Sequence, residues 1–373
     1  MTTTDSVSSE DWPRCAVLVG ESDDRCHGVQ LAGVDRCLAH LDAAELATFL
    51  SELFPGADLD VRGTTLDSEL LIRLMQAFTP TGSPASRAQL GHADFTGATF
   101  TQNSYFTGAA FTQGASFRRA TFALDACFGN ATFTEVGDFT GASFAQNAYF
   151  TGATFTQGAS FRRASFTLDA YFGDATFTES AYFTGAGFTQ NAYFTGATFT
   201  QGASFGSATF TEDACFIDAT FTTCERLGPL TAGQLDVRGA QFGVAVVVEA
   251  AAGEVSCQRA RFSGGVELRV RHGRVGLAEV LLGAASSLGP SVSAHAGEAQ
   301  VESWREMNGS LDDRPVLTSL RGTDVSELAL TDVDLRWCRF AGAHHLDKLR
   351  IEATVRSRGR RGTAGSGGVP DGK

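Results

Sequence analysis

Phenylalanine recurs in the middle of this chain with a step that neither an α-helix nor a single strand explains. Residues 144 to 166 read FAQNAYFTGATFTQGASFRRASF, and Phe occurs there at steps of six, five, six and five. The alternation covers 24 of the 30 Phe, from Phe95 to Phe221, and a small residue, Ala in 22 cases, lies two positions before each of them. Residues i and i−2 of a strand point to the same side, so each small residue and its Phe can share one interior. Self-similarity at a fixed period predicts a solenoid.

The extra residue of each six-residue step predicts where the solenoid has its wider corners. Nine of these eleven residues are Gly, Asn or Asp, which tolerate left-handed and turn conformations. The eleven are Asn103, Gly114, Asp125, Val136, Asn147, Gly158, Asp169, Ser180, Asn191, Gly202 and Asp213. We therefore expect these residues to widen the corner.

A second and longer period, of 44, is superposed on the first. The stretch NSYFTGAAFTQGASFRRATF at 103 returns in closely similar form at 147 and at 191. The simplest matching coil is half of this long repeat, with two steps of five, two steps of six and four Phe-bearing sides. It stacks Phe100, Phe122 and Phe144 along one inner wall, and at an inter-strand spacing of ~4.8 Å the Phe tract is roughly 28 Å long.

This small-x-Phe pattern resembles the pentapeptide-repeat family, whose unit is A-x-[LF]-x-x, in a Phe-rich variant with alternating steps of five and six. The resemblance covers residues 93 to 221 and implies an all-β solenoid, namely a right-handed four-sided parallel β-helix. The best-known activity in that family is mimicry of DNA by an acidic rod that occupies the DNA groove of gyrase. The resemblance is specific for the fold and much less so for the function.

Four regions are expected along the chain. Residues 1–92 form an N-terminal Cys/His segment with capping helices at 41–53 and 66–78, and residues 93–221 form the Phe-type β-helix. Residues 222–352 continue the β-helix irregularly with a period of 20, are interrupted by a polar stretch at 286–313, and end in a plain pentapeptide coil. Residues 353–373 form a disordered basic tail.

The N-terminal segment contains a candidate metal site. Cys15, Cys26, Cys37 and His40 supply three thiolates and one imidazole, a donor set that suits tetrahedral zinc, and Cys37 and His40 form a compact C-x-x-H pair. His27 is a competing ligand. Structural zinc and a small loop-rich cap with three reduced Cys remain as alternatives.

Composition indicates which cellular compartment and which classes of partner to expect. The net charge of −13 disfavours direct binding of nucleic acid by the whole surface. There is neither a signal peptide nor a run of about 18 apolar residues, so we expect a cytoplasmic protein without membrane attachment. The eight Cys are then expected to be thiols or metal ligands.

Residues 22 apart stack into columns, and one outward column is aromatic. It holds Tyr105, Cys127, Tyr149, Tyr171, Tyr193 and Cys215, and so contains four of the five Tyr. Tyr is favoured at interfaces, so the Tyr side chains predict a strip that contacts a protein partner. The alternative is that stacked rings only stabilise adjacent coils.

Two Arg pairs are the other candidate contacts. Arg118 and Arg119 recur at the equivalent place of the next long repeat as Arg162 and Arg163. They could bind phosphate or carboxylate groups, or they could be solvated and paired with nearby acidic residues.

The sequence contains no P-loop, G-x-S-x-G, H-E-x-x-H or Rossmann motif. His344, His345 and Cys338 near the C-terminal end are the remote candidates for an enzyme site. Repeated Thr-Phe-Thr is expected to place Thr pairs on two opposite faces, which suits a β-strand wall and also resembles ice-binding β-helices. We therefore expect a non-enzymatic interaction scaffold, with mimicry of DNA at a type II topoisomerase as the alternative.

Overall fold

The computed structural model describes residues 12–19, 24–81, 87–293, 296 and 314–352. The tail expected at 353–373 and most of the polar stretch at 286–313 lie outside these ranges. The N-terminal module begins with an antiparallel hairpin of Leu18–Val19 and Asp24–Arg25 and ends in a 3₁₀ turn, Leu38–His40. No helix in the described part of the chain is long and apolar enough to cross a membrane.

Two α-helices follow the module, as the sequence predicts. Helix α1 (Ala43–Glu52) begins with a capping box in which Asp42 accepts from the N–H of Glu45 and the Glu45 side chain accepts from the N–H of Asp42. Helix α2 (Ser68–Ala77) begins at Asp67, whose Oδ1 accepts from the N–H of Leu70 at 2.8 Å. Helix α2 packs against Ser104–Tyr105 in place of a strand of the first coil, and it thereby covers the open end of one side.

The remainder is a parallel β-solenoid with four sides, which we number 1 to 4 in chain order. Side 1 consists of Leu59–Asp60, Ala93–Asp94, Ala115–Ser116, Gly137–Asp138, Ala159–Ser160, Ala181–Tyr182 and Ala203–Ser204. Side 2 consists of Thr65–Leu66, Thr99–Phe100, Thr121–Phe122, Ser143–Phe144, Ser165–Phe166 and Gly187–Phe188, and side 3 of Ser104–Tyr105, Ala126–Cys127, Ala148–Tyr149, Ala170–Tyr171 and Ala192–Tyr193. Side 4 consists of Gln89–Leu90, Ala110–Phe111, Thr132–Phe133, Thr154–Phe155, Thr176–Phe177, Thr198–Phe199, Thr220–Phe221, Gln241–Phe242, Arg261–Phe262 and Leu281–Leu282. The solenoid therefore begins at Leu59, inside the region assigned to the cap.

The register between coils confirms the predicted coil. Backbone pairing joins Phe122 to Phe100 on one side and to Phe144 on the other, and the same offset holds throughout the Phe tract. The Phe122 ring stacks on these two neighbours at 4.6 Å and 4.8 Å between centroids, with nearly parallel planes. Rings from sides 1 and 3 also meet edge to face across the interior, as Phe117 and Phe128 do at 5.2 Å. Both geometries are favourable for aromatic pairs, so the interior is a continuous aromatic core closed by Ala.

The left-handed residues lie at the five-residue corners, so the turn chemistry predicted for the six-residue corners is wrong. The five-residue corners have φ between 52° and 69° at Gly97, Gly108, Arg119, Asn130, Gly141, Gly152, Arg163, Asp174, Gly185, Gly196, Ser207 and Asp218. Of the eleven predicted corner residues only Gly158 has a positive φ. A corner with one residue less has to reverse more sharply, whereas the extra residue lets the wider corner turn with ordinary φ values.

The Asn and Asp of the six-residue corners between sides 2 and 3 have a different role. Oδ1 of Asn103 accepts from the N–H of Asp125 at 3.2 Å, and Oδ1 of Asp125 accepts from the N–H of Asn147 at 3.1 Å. The same contact joins Asp169 to Asn191. These side chains connect adjacent coils, and the alternation of Asn with Asp keeps carboxylates off neighbouring coils.

The five-residue corners account for the long period of 44. Gly alternates there with a larger residue from coil to coil, and the larger side chain lies over the Gly of the next coil. A Cβ added to Gly152 would lie 2.6 Å from Asn130 Oδ1, and one added to Gly141 would lie 3.5 Å from Arg119 Cγ. Two coils are therefore needed before the pattern repeats.

From Thr209 onward the solenoid contains longer strands. The strands are Thr209–Cys215, Arg226–Asp236, Val246–Ser256, Val266–Arg271, Arg274–Gly276, Ser286–Pro290, Val316–Ser319, Leu328–Thr331 and Arg350–Glu352, with a last 3₁₀ turn at Leu346–Lys348. Several of them run without a break across positions that are separate sides upstream, and Phe242, Phe262 and Leu282 pair at the predicted step of 20. In this part of the solenoid, outward residues of the long strands lie in line with those of side 3.

Candidate interaction surface and metal centre

The Tyr column occupies the outward positions of side 3. Tyr149 and Tyr171 stack at 5.0 Å between ring centroids, and Tyr171 and Tyr193 stack at 5.2 Å. These three rings are half-buried by their neighbours, whereas Tyr105 is 47% exposed and lies beyond Cys127. The stacking that is expected if the rings only stabilise adjacent coils is therefore present, and the ring edges remain on the surface.

The stacked rings lie in an acidic setting. The Tyr171 hydroxyl donates to Asp169 Oδ2 at 3.0 Å. Burial, and after it the hydrogen bond and charge of Asp169, raises the pKa of Tyr171 to about 12. Burial and neighbouring carboxylates raise the pKa of Tyr149 and Tyr193 as well. The three stacked residues Tyr149, Tyr171 and Tyr193 are thus neutral phenols at ordinary pH.

The line of outward positions that holds the Tyr column continues beyond the Phe tract. Backbone pairing continues it through Cys215, Asp236, Ser256, Gly276, Ser319 and Arg339. Glu212, Asp213, Asp236 and Glu254 lie close together where the Tyr rings stop, and burial together with the other three carboxylates raises the pKa of Asp213. The sequence alone does not reveal this continuation, because the step between paired residues shortens here and only backbone pairing locates the change.

The four Arg of the predicted pairs are engaged with the solenoid itself. Arg118 forms an ion pair with Asp138 of the next coil at 3.3 Å, and the Arg162 guanidinium lies 3.6 Å from the ring centroid of Tyr182. Arg119 and Arg163 are left-handed corner residues whose stems lie over Gly141 and Gly185. These contacts give each Arg a structural role, and a phosphate or carboxylate ligand stays a prediction.

The Thr pairs lie on two opposite faces, five of them on side 4 and two, around Phe100 and Phe210, on side 2. On side 4 five successive coils carry Thr-Phe-Thr, starting at Thr132, Thr154, Thr176, Thr198 and Thr220, and the second Thr of each is exposed. On the coils of side 2 between Phe100 and Phe210, the outward residue before Phe is Thr121, Ser143, Ser165 or Gly187, and none of them belongs to a Thr pair.

The remote enzyme site finds no support in the geometry. His345 pairs with Asp324 at 2.9 Å on the exposed surface, and burial raises the pKa of Cys338 to about 11, whereas an activated thiol needs a lowered pKa.

The four predicted metal ligands converge. The Sγ atoms of Cys15, Cys26 and Cys37 and Nδ1 of His40 all lie within 4.8 Å of one another and could hold a metal ion. Cys26 and Cys37 Sγ are 3.8 Å apart, and His40 Nδ1 is 3.4 Å from Cys15 Sγ and 3.3 Å from Cys37 Sγ. A tetrahedron with Zn–S of ~2.3 Å and Zn–N of ~2.0 Å has edges of ~3.8 Å and ~3.5 Å, so the spacing fits zinc. His27 is exposed and outside the cluster.

Local structure explains how widely spaced Cys can meet. The hairpin between Cys15 and Cys26 returns the chain on itself, and the 3₁₀ turn brings His40 back to Cys37. Gly28 lies so near Cys37 that an added Cβ would be 2.7 Å from its Sγ. Burial and the nearby Cys26 sulfur raise the pKa of Cys37 to about 12, so thiolates at this distance need a cation between them.

The module is attached to the first coil through Trp12. Its indole N–H donates to the His27 carbonyl at 2.9 Å, and the Arg62 guanidinium lies 5.3 Å from the indole ring centre. Gly63, at φ 63°, lies against the His27 carbonyl, so only Gly fits there. The Cys15, Cys26, Cys37 and His40 cluster therefore lies in the part of the chain that covers the start of the solenoid.

Comparison with known proteins agrees with this architecture. A family model described as pentapeptide repeats (9 copies) matches residues 95–142, 117–165, 139–187 and 161–209 in overlapping registers. Neither a curated protein nor a solved structure matches the chain.

Proposed function

We propose that the protein is a non-enzymatic scaffold that binds a protein partner along the Tyr column of side 3, in keeping with the match of residues 95–209 to the pentapeptide-repeat family model. The observation that carries the proposal is the face-to-face stacking of Tyr149, Tyr171 and Tyr193. Aromatic rings that are already fixed lose little side-chain entropy when a partner covers them, and Tyr offers apolar area with a polar tip. A repeat fold of this kind serves typically as a structural or interaction scaffold.

The test compares the full chain with a variant in which Tyr105, Tyr149, Tyr171 and Tyr193 are replaced by Ser. The matched control changes Thr154, Thr176 and Thr198 of side 4 to Ser. Affinity capture from reducing cytoplasmic lysate, followed by reconstitution with the purified candidate, should give a partner that binds the wild type and the control but not the Tyr variant. Circular dichroism of the Ser variant excludes misfolding as the cause of a lost partner. A Tyr→Phe series at the same positions keeps the stacked rings, so a partner retained by the Phe variant is bound by the rings and not by the hydroxyls. Equal binding by all variants would leave the Tyr column as a stabiliser of the coils only.

Mimicry of DNA at a type II topoisomerase such as DNA gyrase is the second candidate, and the acidic residues on side 3 support it. Asp125, Asp169 and Asp213 recur on every second coil, which gives one charge per ~9.6 Å, whereas each DNA strand has one per ~3.4 Å. The charge is too sparse to rank this candidate first. Inhibition of gyrase supercoiling by the wild type, lost when these three Asp are changed to Asn, would reverse the order.

We also propose that the Cys15, Cys26, Cys37 and His40 cluster holds one structural zinc ion, which requires reduced thiols and so favours the cytoplasm. The tetrahedral spacing supports this reading, and a structural zinc site contributes directly to folding. Elemental analysis of the full chain should find one zinc per chain, none in Cys37→Ser, and one in the control Cys127→Ser, which changes a thiol outside the cluster. Zinc-free wild type that keeps its N-terminal module protease-resistant would contradict the proposal.

A further inference from the structure

A cleft of about 680 Å³ opens at the C-terminal end of side 3, in line with the Tyr column but beyond it. It is lined by Glu254, Arg274, Thr318, Ser319, Arg321, Trp337 and Arg339 and is called the Arg/Trp cleft below. Its volume is in the range typical of small-molecule sites.

A local irregularity in the strands forms the cleft. Val275 pairs with Leu317 but Gly276 pairs with Ser319, so Thr318 is an extra, bulged residue. Gly276 has no side chain to fill the column between Ser256 and Ser319. A β-bulge next to a glycine thus leaves the wall concave, and bulges are frequent next to binding sites.

The charge of the cleft is opposite to that of the chain. Arg321 pairs with Glu279 at 2.7 Å, whereas Arg274 and Arg339 form no ion pair with any described residue. Glu254 is the one acidic residue of the lining, and it accepts from the Ser256 hydroxyl at 3.1 Å. The lining thus has three guanidinium groups and one carboxylate, in a chain whose net charge is −13. Guanidinium groups bind oxyanions through paired, charge-assisted hydrogen bonds.

Trp337 adds an aromatic surface to the cleft. Its side chain is 69% exposed, which is unusual for the largest apolar residue of a folded domain. An exposed indole beside Arg suits a planar ring stacked on it, while Glu254 can accept from N–H groups of such a ring.

We propose that the Arg/Trp cleft binds a small oxyanion that carries a planar ring, the chemistry of a nucleoside monophosphate. The phosphate would contact Arg274 and Arg339, and the ring would stack on Trp337. A polynucleotide is disfavoured because Asp213, Asp236 and Glu254 lie along the approach on the same face. The site is separate from the Tyr column, so it does not depend on the proposed scaffold function.

Isothermal titration of the full chain with AMP, adenosine, inorganic phosphate and a single-stranded DNA oligonucleotide tests the proposal. AMP should bind at least about tenfold more tightly than adenosine or phosphate alone, since each lacks one half of the contacts. Trp337→Ala and the double variant Arg274→Ala, Arg339→Ala should each weaken AMP binding about tenfold or more. Arg261→Ala, an exposed Arg on side 4, is the matched control and should bind like the wild type.

Three results would overturn the proposal, and circular dichroism of each variant excludes misfolding. They are the absence of heat with AMP, phosphate binding as tight as AMP binding with no effect of Trp337→Ala, and binding of the DNA that is tighter than AMP binding and lost in the same variants. Loss of a protein partner from the Tyr variant is a separate measurement, so the two proposals can fail independently.

Discussion

Replacing Gly141 by Ala is expected to destabilise the solenoid, whereas replacing Gly202 by Ala is not. Gly141 is a five-residue corner with φ 68°, and an added Cβ would be in ordinary contact, 3.5 Å from Arg119 Cγ. The expected cost is therefore that of the left-handed backbone alone, about 1–2 kcal/mol. Gly202 is a six-residue corner without positive φ, and its nearest neighbour would lie 3.9 Å away. Ala there should stabilise by about 0.4–1 kcal/mol, because it reduces the entropy of the unfolded chain.

The measurement is the urea midpoint of each full-length variant, followed by far-ultraviolet circular dichroism at several protein concentrations. The two variants should move in opposite directions from the wild type. A third variant, Gly63→Ala, should be the most damaging, since its Cβ would overlap the His27 carbonyl. If Gly141→Ala is as stable as Gly202→Ala, then the five-residue corners are not left-handed in solution and the explanation of the long period fails.

Three further predictions concern the core, the Tyr column and the corners. Phe150→Ala removes a ring that stacks at 4.9 Å on each of two neighbours, and it should lower the free energy of unfolding in urea by about 3–5 kcal/mol. Phe340→Ala at the surface should lower it by under about 1 kcal/mol. Similar losses from the two variants would refute the stacked core. The pKa of Tyr171 is raised from 10.0 to about 12 in the folded protein, so the unfolded chain releases this proton at lower pH. The free energy of unfolding should therefore fall as the pH rises from 10.0 to about 12. An ultraviolet titration in which every Tyr ionises near 10 would contradict this prediction. Deletion of Asn147 removes the extra residue of a wide corner and should shift the register of adjacent coils, as increased protease cleavage there would reveal, whereas a stable and fully folded deletion would count against the four-sided coil.

The sequence was sufficient to predict the coil but not the backbone conformation of its corners. Phe, Ala and the five-six alternation define the interior and the register between coils, because these depend on side-chain direction alone. The left-handed residues could not be placed in the same way. Arg119 and Arg163 are not residues that composition would assign to a positive φ, and their conformation follows from the shortness of the corner.

The candidate metal ligands could be predicted from the sequence, whereas the Arg/Trp cleft could not. Cys37 and His40 are close in the chain, and the residue types alone indicated the remaining ligands. The Arg/Trp cleft was missed because it depends on a bulge at Thr318 and on the pairing of Gly276 with the distant strand Val316–Ser319. No local pattern records a pairing of that kind.

The alternation of Gly with larger corner residues determines how this protein can change its length during evolution. Tandem duplication of one long repeat would add two coils, about 9.6 Å of rod, and would keep Gly beneath every large corner side chain. Duplication of a single coil that carries the large corner residues preserves the Phe ladder equally well but places Arg beside Arg, Asn beside Asn or Asp beside Asp at consecutive left-handed corners. A natural length variant that gains such a coil should therefore gain a Gly coil with it.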